Sequence, residues 1–317
     1  MTTTQTDRQC PSWAFTAPDK IVVATDLTDI DYLIPYAIAQ GKLCGASLVL
    51  THIIPPVETV SLDAAAVLAA DAAVMEHEAR AILDELSVKV RAAGVECEIA
   101  IRHGHPRNVV AELVRKVHAG RVVLGTHGRR NLKKFFLGST AHEILRSVDV
   151  PVWTVGPHAR PFAHGQPCRI LHPVSLSSGY EETAKLALGL AQFYKAEVTL
   201  LHVLPRELHA QRASKHLVQW TAFELGRLIP DEAPLWTTAT IMVEAGEVVE
   251  QILEMAEEMR ADLIVMGSNP DISFWPVHGD NTVYNVIAEA KCPVLTLRHS
   301  LKAERNVEAT SEPRLVG

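Results

Sequence analysis

Short apolar runs rich in β-branched residues alternate with longer stretches of helical periodicity along the first half of the chain. Each run ends in a polar or glycine-containing turn, which is typical of strands, and the longer stretches place apolar residues three or four positions apart. The predicted strands are KIVVATD (20–26), ASLVLTHII (46–54), VECEIAIRHG (95–104), GRVVLGTHG (120–128) and VPVWTVG (150–156). The predicted helices between them cover 29–45, about 62–92, 106–118 and 140–148. Strands that alternate with helices in this way predict βαβ units and a parallel sheet.

The same series starts again at CRILHPV (168–174). In the later part of each unit the two copies align without a gap at an offset of 142 residues, so that Gly125 matches Gly267 and Pro151 matches Pro293. A repeat of this length predicts two α/β domains in tandem. The predicted division is a mobile tail (1–17), a first domain (18–158), a linker (159–167) within the Pro/Gly/His-rich stretch 156–167, a second domain (168–298) and a second mobile tail (299–317).

Composition and missing motifs exclude several classes of protein. The net charge of −7 argues against a nucleic-acid partner, and 48% hydrophobic content is enough for real cores. The five scattered cysteines have no metal-ligand spacing and predict free thiols in a reducing compartment. We find no signal-peptide pattern and no apolar run long enough for a membrane helix, so a cytoplasmic location without membrane contact is expected. HExxH, GxSxG, GxGxxG and GxxxxGK(S/T) are all absent, which argues against the corresponding metalloproteases, hydrolases, dehydrogenases and P-loop NTPases. No metal site and no catalytic residue are predicted.

A glycine-punctuated stretch, VVLGTHGRRNLKKFFLGSTAHEIL (122–145), carries the candidate chemistry. Gly125 ends a predicted strand, where a residue without Cβ lets a ligand approach the backbone. Gly138 and Ser139 stand where the next helix begins, and free backbone N–H groups and the helix dipole favour a phosphate there. Basic residues in the connecting loop add positive charge (Arg129, Arg130, Lys133, Lys134). Any one glycine alone is better explained as a turn residue, but the full spacing between a strand and a helix favours phosphate binding.

The pattern Gly-x2-Gly-x9-Gly-Ser resembles the nucleotide signature of the universal stress protein family. IVVATDLTD, LVLTHII, IRHGHPRNVV and VPVWTV resemble the first strand with its Asp, the second strand with its His, the Gly-x-Pro turn and the closing strand of that family. The resemblance covers nearly all of 18–158 and, more weakly, 168–298. It implies two flavodoxin-like, doubly wound five-stranded parallel sheets, each in the order 3-2-1-4-5, with helices on both faces.

By the same resemblance the first domain binds ATP, with any Mg or Mn carried by the nucleotide. The implied ligand contacts are residues at the strand ends and the following helix start: Ala24, Thr25, Asp26, Ile53, Leu124, Gly125, His127, Gly128, Arg129, Gly138, Ser139 and Thr140. Asp26 has an alternative role, because an aspartate in a strand-to-helix turn often caps the turn.

The second copy departs from the signature. At the offset of 142, Gly128, Gly138 and Ser139 are replaced by Pro270, Asp280 and Asn281. Proline lacks an N–H group, and an aspartate repels phosphate oxygens at close range. Aligned through its first strand, the copy places Val174 at the position of Asp26. The second domain is therefore predicted to have a degenerate nucleotide site.

Three functions stay open at this point. The first is a cytoplasmic regulatory protein of the stress response that binds an adenine nucleotide. The second is a slow ATPase or a protein that phosphorylates itself at Ser139 or Thr140, and the third is a nucleotide-free dimer scaffold. The closing strands of the two copies (150–155 and 292–297) are predicted to pair either with each other within one chain or with those of a second chain in a homodimer.

Overall fold

The computed structural model describes residues 15–56, 62–126, 137–176, 179–206, 214–268 and 282–298, with side chains omitted at 62–71 and 214. The strands of the first half are β1 Lys20–Ala24, β2 Ser47–Ile54, β3 Cys97–His103, β4 Arg121–Gly125 and β5 Val152–Val155. Its helices are α1 Ile30–Cys44, α2 Leu62–Ala92, α3 Pro106–Val117 and α4 Ser139–Ser147. The strands of the second half are β6 Arg169–Pro173, β7 Glu197–Leu204, β8 Ala239–Ala245, β9 Leu263–Ser268 and β10 Val294–Arg298. Its helices are α5 Tyr180–Tyr194, α6 Ser214–Gly226, α7 Val248–Glu258 and α8 Thr282–Glu289.

The central strands are apolar on both faces because helices cover both faces of the sheet. In β1 the side chains of Ile21, Val22 and Val23 are all fully buried, although consecutive side chains of a strand point to opposite sides. Ile21 and Val23 join the core under α1 and α2, whereas Val22 joins the core under α3 and α4. This double burial explains the uninterrupted apolar run in the sequence.

The ten strands of the described residues form one continuous sheet, in the order β3-β2-β1-β4-β5-β10-β9-β6-β7-β8. Within each half the strands are parallel and follow the predicted order 3-2-1-4-5, so the expected fold class is confirmed. The halves meet where β5 and β10 pair antiparallel, with Trp153 opposite Leu295 and Thr154 opposite Val294. Of the two pairings considered from the sequence, the structure has the one within a single chain.

The stretch between the halves packs against both of them. The Phe162 ring lies edge-on to Tyr36 of α1, with 5.1 Å between centroids, and to Trp153 of β5, with 6.3 Å. Arg160 pairs with Glu257 of α7, and its carbonyl accepts a hydrogen bond from the Tyr36 hydroxyl. The segment therefore fastens the junction as well as connecting the halves. In the part of the chain that the structure describes, no helix is long and apolar enough to span a bilayer.

Candidate functional site

The carboxyl ends of β1, β2 and β4 meet at one edge of the first half. Ala24 stands opposite Thr51 on one side and opposite Leu124 on the other. Beyond Ala24, the backbone N–H of Thr25 donates to the carbonyl of Thr51 at 3.0 Å, and Nδ1 of His52 lies 2.9 Å from the carbonyl oxygen of Thr25. In an open parallel sheet this edge, between β1 and β4, is where the strand order reverses and where ligands bind.

Helix α4 begins at the same edge. The N–H of Gly138 donates to the carbonyl of Thr126 at 3.0 Å, which holds the residue after β4 against the residue before α4. Ser139 and Thr140, the first two residues of the helix, are exposed, and no side chain caps its N-terminus. The N-terminus thus offers backbone N–H groups and two hydroxyl groups to an anion.

The structure brings together most of the residues predicted to bind nucleotide. Ala24 and Leu124 are buried at the ends of their strands, and Ile53 is half-buried near the end of β2, opposite Arg102 of β3. His127, Gly128 and Arg129 lie outside the described residues, as do the other basic residues of that loop. The predicted contacts that are described share this edge of the sheet: Ala24, Thr25, Asp26, Ile53, Leu124, Gly125, Gly138, Ser139 and Thr140.

Asp26 is exposed in the turn after β1, and its carboxylate stabilises that turn. Its Oδ1 accepts hydrogen bonds from the backbone N–H of Thr28 at 2.8 Å and from the Thr28 hydroxyl at 2.7 Å. This is the turn contact considered as an alternative in the sequence analysis. One carboxylate oxygen, Oδ1, accepts both bonds.

A second aspartate in this turn, Asp29, was not predicted from the sequence. It is 3% exposed, and its carboxyl group accepts a hydrogen bond from the Thr25 hydroxyl. Burial raises the pKa of Asp29 to about 7, the bond from Thr25 lowers it in part, and the nearby charge of Asp26 raises it further. The buried carboxyl group at this edge of the sheet therefore keeps its proton to a higher pH than an ordinary aspartate does.

The Asp29 carboxyl group explains why residue 125 is a glycine. A Cβ built on Gly125 would overlap Oδ2 of Asp29, so only glycine leaves room at the end of β4. The sequence predicts a ligand in that space, whereas in the structure a side chain of the protein itself fills part of it. The signal was present, since Asp29 directly precedes the periodic run of α1, where an aspartate commonly stands. Its burial depends on β4, almost a hundred residues later in the chain.

The second half has the same backbone contacts at the carboxyl ends of its strands. These contacts correct the alignment of the two copies at one position. The N–H of Val174 donates to Leu201 at 2.8 Å, and Nδ1 of His202 lies 2.7 Å from the Val174 carbonyl oxygen. These are the contacts that Thr25 makes in the first half, so Val174 matches Thr25, and Ser175 matches Asp26. The prediction that Val174 matches Asp26 was wrong by one residue. Pro270, Asp280 and Asn281 lie outside the described residues.

Each of the two turns contains a residue with left-handed backbone conformation at the same position, which supports this register. Leu27 has φ of 69°, and Leu176 has φ of 55°. Each stands two residues after its matched position, Thr25 or Val174. The second half therefore keeps the turn but has neither the hydroxyl of Thr25 nor the carboxylate of Asp26. Among the residues that the structure describes in both halves, no three His, Cys, Asp or Glu side chains are grouped as metal ligands.

Comparison with known proteins agrees with this architecture. The profile of the universal stress protein family matches residues 18–156 and again residues 168–298. Universal stress protein MJ0531 of Methanocaldococcus jannaschii is 26% identical over 137 residues, which cover 43% of this chain and 81% of that protein.

A solved structure shares the fold over nearly the whole chain. A universal stress protein from Archaeoglobus fulgidus superposes with a TM-score of 0.70 at 19% identity, over 91% of this chain and 99% of its own. A universal stress protein in complex with cAMP matches 43% of this chain and 99% of its own, at 17% identity and a TM-score of 0.34. Since the family profile matches both halves, the chain belongs to the universal stress protein family and carries two Usp domains in tandem.

Proposed function

We propose that the first half binds an adenine nucleotide, ATP by the family resemblance, at the carboxyl edge of β1, β2 and β4. The observation that carries the proposal is the bond from Gly138 to Thr126, because it sets the N-terminus of α4 beside the end of β4. A phosphate at Ser139 and Thr140 would meet free N–H groups and the positive end of the helix dipole. The adenosine would then extend across Gly125 toward Thr25 and Ile53.

The role we propose for this site is regulatory. Whether nucleotide is bound or absent would change the surface at the edge of the sheet, and cytoplasmic partners of a stress response would respond to it. The second half is proposed to be a structural mate with a degenerate site, because Val174 replaces Thr25 and Ser175 replaces Asp26. Its departures at 270, 280 and 281 in the sequence support the same conclusion.

A second function is favoured by one observation, the exposure of the Ser139 and Thr140 hydroxyls at the proposed phosphate position. Transfer of the γ-phosphoryl group of bound ATP to either hydroxyl, with release of ADP, would make the protein an autophosphorylating enzyme. Incubation with γ-labelled ATP, followed by measurement of released phosphate and of label on the protein, separates this function from simple binding. Label that disappears in Ser139→Ala or Thr140→Ala would establish it.

The experiment that tests the main proposal counts nucleotides. Freshly purified protein is denatured, the released nucleotide is identified by mass spectrometry, and emptied protein is titrated with ATP in a calorimeter. The matched variants are Gly138→Ala, whose Cβ would make an ordinary 3.5 Å contact with the Thr126 carbonyl oxygen, and Gly138→Asp, which copies the second half. Both add bulk, but only aspartate adds negative charge near the phosphates.

We expect about one adenine nucleotide per chain in the wild type and in Gly138→Ala, and a loss of binding in Gly138→Asp. Equal binding by the two variants would contradict a phosphate at this helix. About two nucleotides per chain would show that the second half also binds. If the wild type neither retains nor takes up adenine nucleotide, the proposal fails and the scaffold function is left.

A further inference from the structure

The sheet of the described residues ends in two outer strands, β3 and β8. In a strand, the N–H and C=O of one residue point to one side and those of the next residue point to the other. The N–H of Gly104 donates to the carbonyl of Ile54 at 3.0 Å, and the carbonyl of Glu96 accepts from the N–H of Leu48 at 2.8 Å. The even-numbered residues of β3 thus face β2, and the backbone groups of its odd-numbered residues point away from the sheet.

Guanidinium groups occupy the outer edge of β3. Nε and Nη2 of Arg91 donate to the outward carbonyl of Cys97 at 3.2 and 2.6 Å. Nη1 of Arg102 donates to the outward carbonyl of Ile101 at 2.8 Å. Charged side chains and occupied backbone groups are the means by which proteins keep an edge strand from pairing with another chain. The edge of the first half is therefore closed to a further strand.

The outer edge of β8 is open by comparison. The N–H of Val198 donates to the carbonyl of Thr238, and the N–H of Gly246 donates to the carbonyl of Leu204, both at 3.0 Å. The even-numbered residues of β8 therefore face β7, and the backbone groups of its odd-numbered residues point outward. Among the residues that the structure describes, no group donates to or accepts from these outward groups. Such a row of backbone groups is a template for a further strand.

The side chains of β8 are also suited to cover by another strand. Ile241, Met242 and Val243 follow one another in the strand and all three are half-buried. Met242 packs against the core on one face of the sheet, and the other two pack against the core on the opposite face. At the offset of 142 residues, Arg102 of β3 is replaced by Glu244, which has no proton to donate to a carbonyl when it is ionised. The edge of β8 is thus apolar on both faces and lacks the guanidinium group that occupies β3.

We propose that β8 is an interface for a second copy of this chain, paired antiparallel about a two-fold axis at Met242. This register overlaps all seven residues of the strand. Ile241 exchanges two backbone hydrogen bonds with Val243 of the second copy, and Ala239 does the same with Ala245, since all four have outward backbone groups. Met242 then stands opposite its own copy in a pair without hydrogen bonds, where side chains of antiparallel strands lie closest. Two ten-stranded sheets become one continuous sheet.

The polar residues of β8 fit a second copy in this register. Glu244, the one charged residue of the strand, stands opposite the exposed Thr240 of the second copy, whose hydroxyl can donate to the carboxylate. An axis at Glu244 would place two carboxylates directly opposite each other, which is destabilising, and every other register shortens the overlap. The strand is therefore self-complementary. It lies at the far end of the sheet from the first half, so the inference does not depend on nucleotide binding.

Sedimentation of the full-length protein over a wide range of concentrations tests the proposal. We expect a reversible monomer–dimer equilibrium in the wild type. Thr240→Glu places two carboxylates opposite each other at both symmetric positions, and it should raise the dimer dissociation constant several-fold. Thr240→Lys is the matched variant and should lower that constant, because its cation faces Glu244 of the second copy. The Thr240 side chain is exposed, so both variants should keep the wild-type fold, which circular dichroism checks.

A cross-link locates the interface. Met242→Cys, treated with oxidised glutathione, should give a dimer joined by a disulfide at position 242, identified by mass spectrometry, because paired strands bring these Cα atoms within disulfide range. Ala100→Cys, at the equivalent position of β3, is the control and should give no disulfide between chains through position 100. A wild type that stays monomeric, a dimer that responds equally to the two Thr240 variants, or a dimer without the bond at position 242 would each overturn the proposal.

Discussion

At the residue scale, the candidate site is shaped by a cluster of three residues in contact, Thr25, Asp29 and Gly125. The carboxyl group of Asp29 is taken out of water at the end of β4, where an ionised carboxylate is costly unless it is hydrogen-bonded. The Thr25 hydroxyl and backbone N–H groups, including that of Gly125, supply such bonds. Two predictions follow from the shape and the charge of this cluster.

The first concerns shape. Gly125→Ala should destabilise the protein by about 1–3 kcal/mol, because the new Cβ displaces the Asp29 carboxyl from its bonds. Gly138→Ala is the matched control and should stay within about 0.5 kcal/mol of the wild type, since its Cβ meets only an ordinary contact. Urea unfolding of both variants measures the difference, and equal stabilities would show that the site relaxes around the added methyl group.

The second concerns charge. Folding raises the pKa of Asp29 from 3.8 to about 7, so the folded protein binds the proton more tightly than the unfolded chain. Stability from this group is fully present below about pH 4 and is lost as the pH rises toward 7. At about 1.4 kcal/mol per pKa unit the loss is on the order of 4 kcal/mol.

Asp29→Asn removes that titration. The stability difference between the variant and the wild type, measured by urea unfolding from pH 4.5 to 8, should grow in favour of the variant up to pH 7 and then level off. Asp84→Asn, at an exposed position of α2, is the control for the loss of a carboxylate elsewhere on the protein. A difference that does not depend on pH would mean that Asp29 is not buried as described.

At the scale of elements, the helices that the sequence predicted are those with one apolar face. Helix α6, Ser214–Gly226, was not predicted, and its side chains explain why. Trp220 and Phe223 are 55% and 65% exposed, whereas the small polar Thr221 is buried together with Leu225. Large apolar residues on the solvent face and a threonine on the core face remove the periodicity on which prediction depends.

This distribution predicts that truncation of the larger side chain, Phe223, costs less stability than truncation of the smaller one, Leu225. Phe223→Ala should change the free energy of unfolding by no more than about 0.5 kcal/mol, because the ring is mostly in water. Leu225→Ala should cost about 2–5 kcal/mol, since it empties a fully buried position. Urea denaturation of the two variants compares them directly. A large loss in Phe223→Ala would show that the exposed face of α6 is covered in solution.

At the scale of the whole molecule, a buried cation lies where the two halves meet. Arg121 of β4 is 1% exposed, and its guanidinium lies 5.4 Å from the ring centroids of Phe15 and Trp153. Nη1 donates to the side-chain oxygen of Gln40, which also accepts a bond from the Tyr194 hydroxyl of the second half at 3.1 Å. Among the described side chains no carboxylate pairs with Arg121, so aromatic faces and amide oxygen stabilise its charge.

A buried cation that is stabilised by aromatic rings and an amide oxygen can be replaced by an apolar side chain of similar length. Arg121→Met should stay within about 1–2 kcal/mol of the wild type, because the lost bonds are offset by the lost cost of burying charge. Arg121→Ala should cost several kilocalories more, since it leaves a cavity between the rings. Calorimetric unfolding measures both, and a Met variant as unstable as the Ala variant would show that the charge itself holds the halves together.

The sequence by itself determined the features that depend on neighbours along the chain. Alternating periodicities fixed the βαβ units, the offset of 142 fixed the repeat, and glycines at 125 and 138 marked the ends of β4 and the start of α4. The strand order 3-2-1-4-5 came from the family resemblance and is confirmed. The predicted register of the first strand in the second copy was wrong by one residue. A short apolar run alone does not show at which residue the following turn begins.

Only the tertiary structure decided which residues from distant parts of the chain share one place. It buried Asp29 against Gly125, paired β5 with β10 within the chain, and set Arg121 between the rings of Phe15 and Trp153. Local sequence could not decide these contacts, because an aspartate before a helix is ordinary at its own position and the closing strands could equally have paired with those of a second chain. Periodicity records which face of an element is buried, whereas contacts between elements depend on how their faces are brought together by folding.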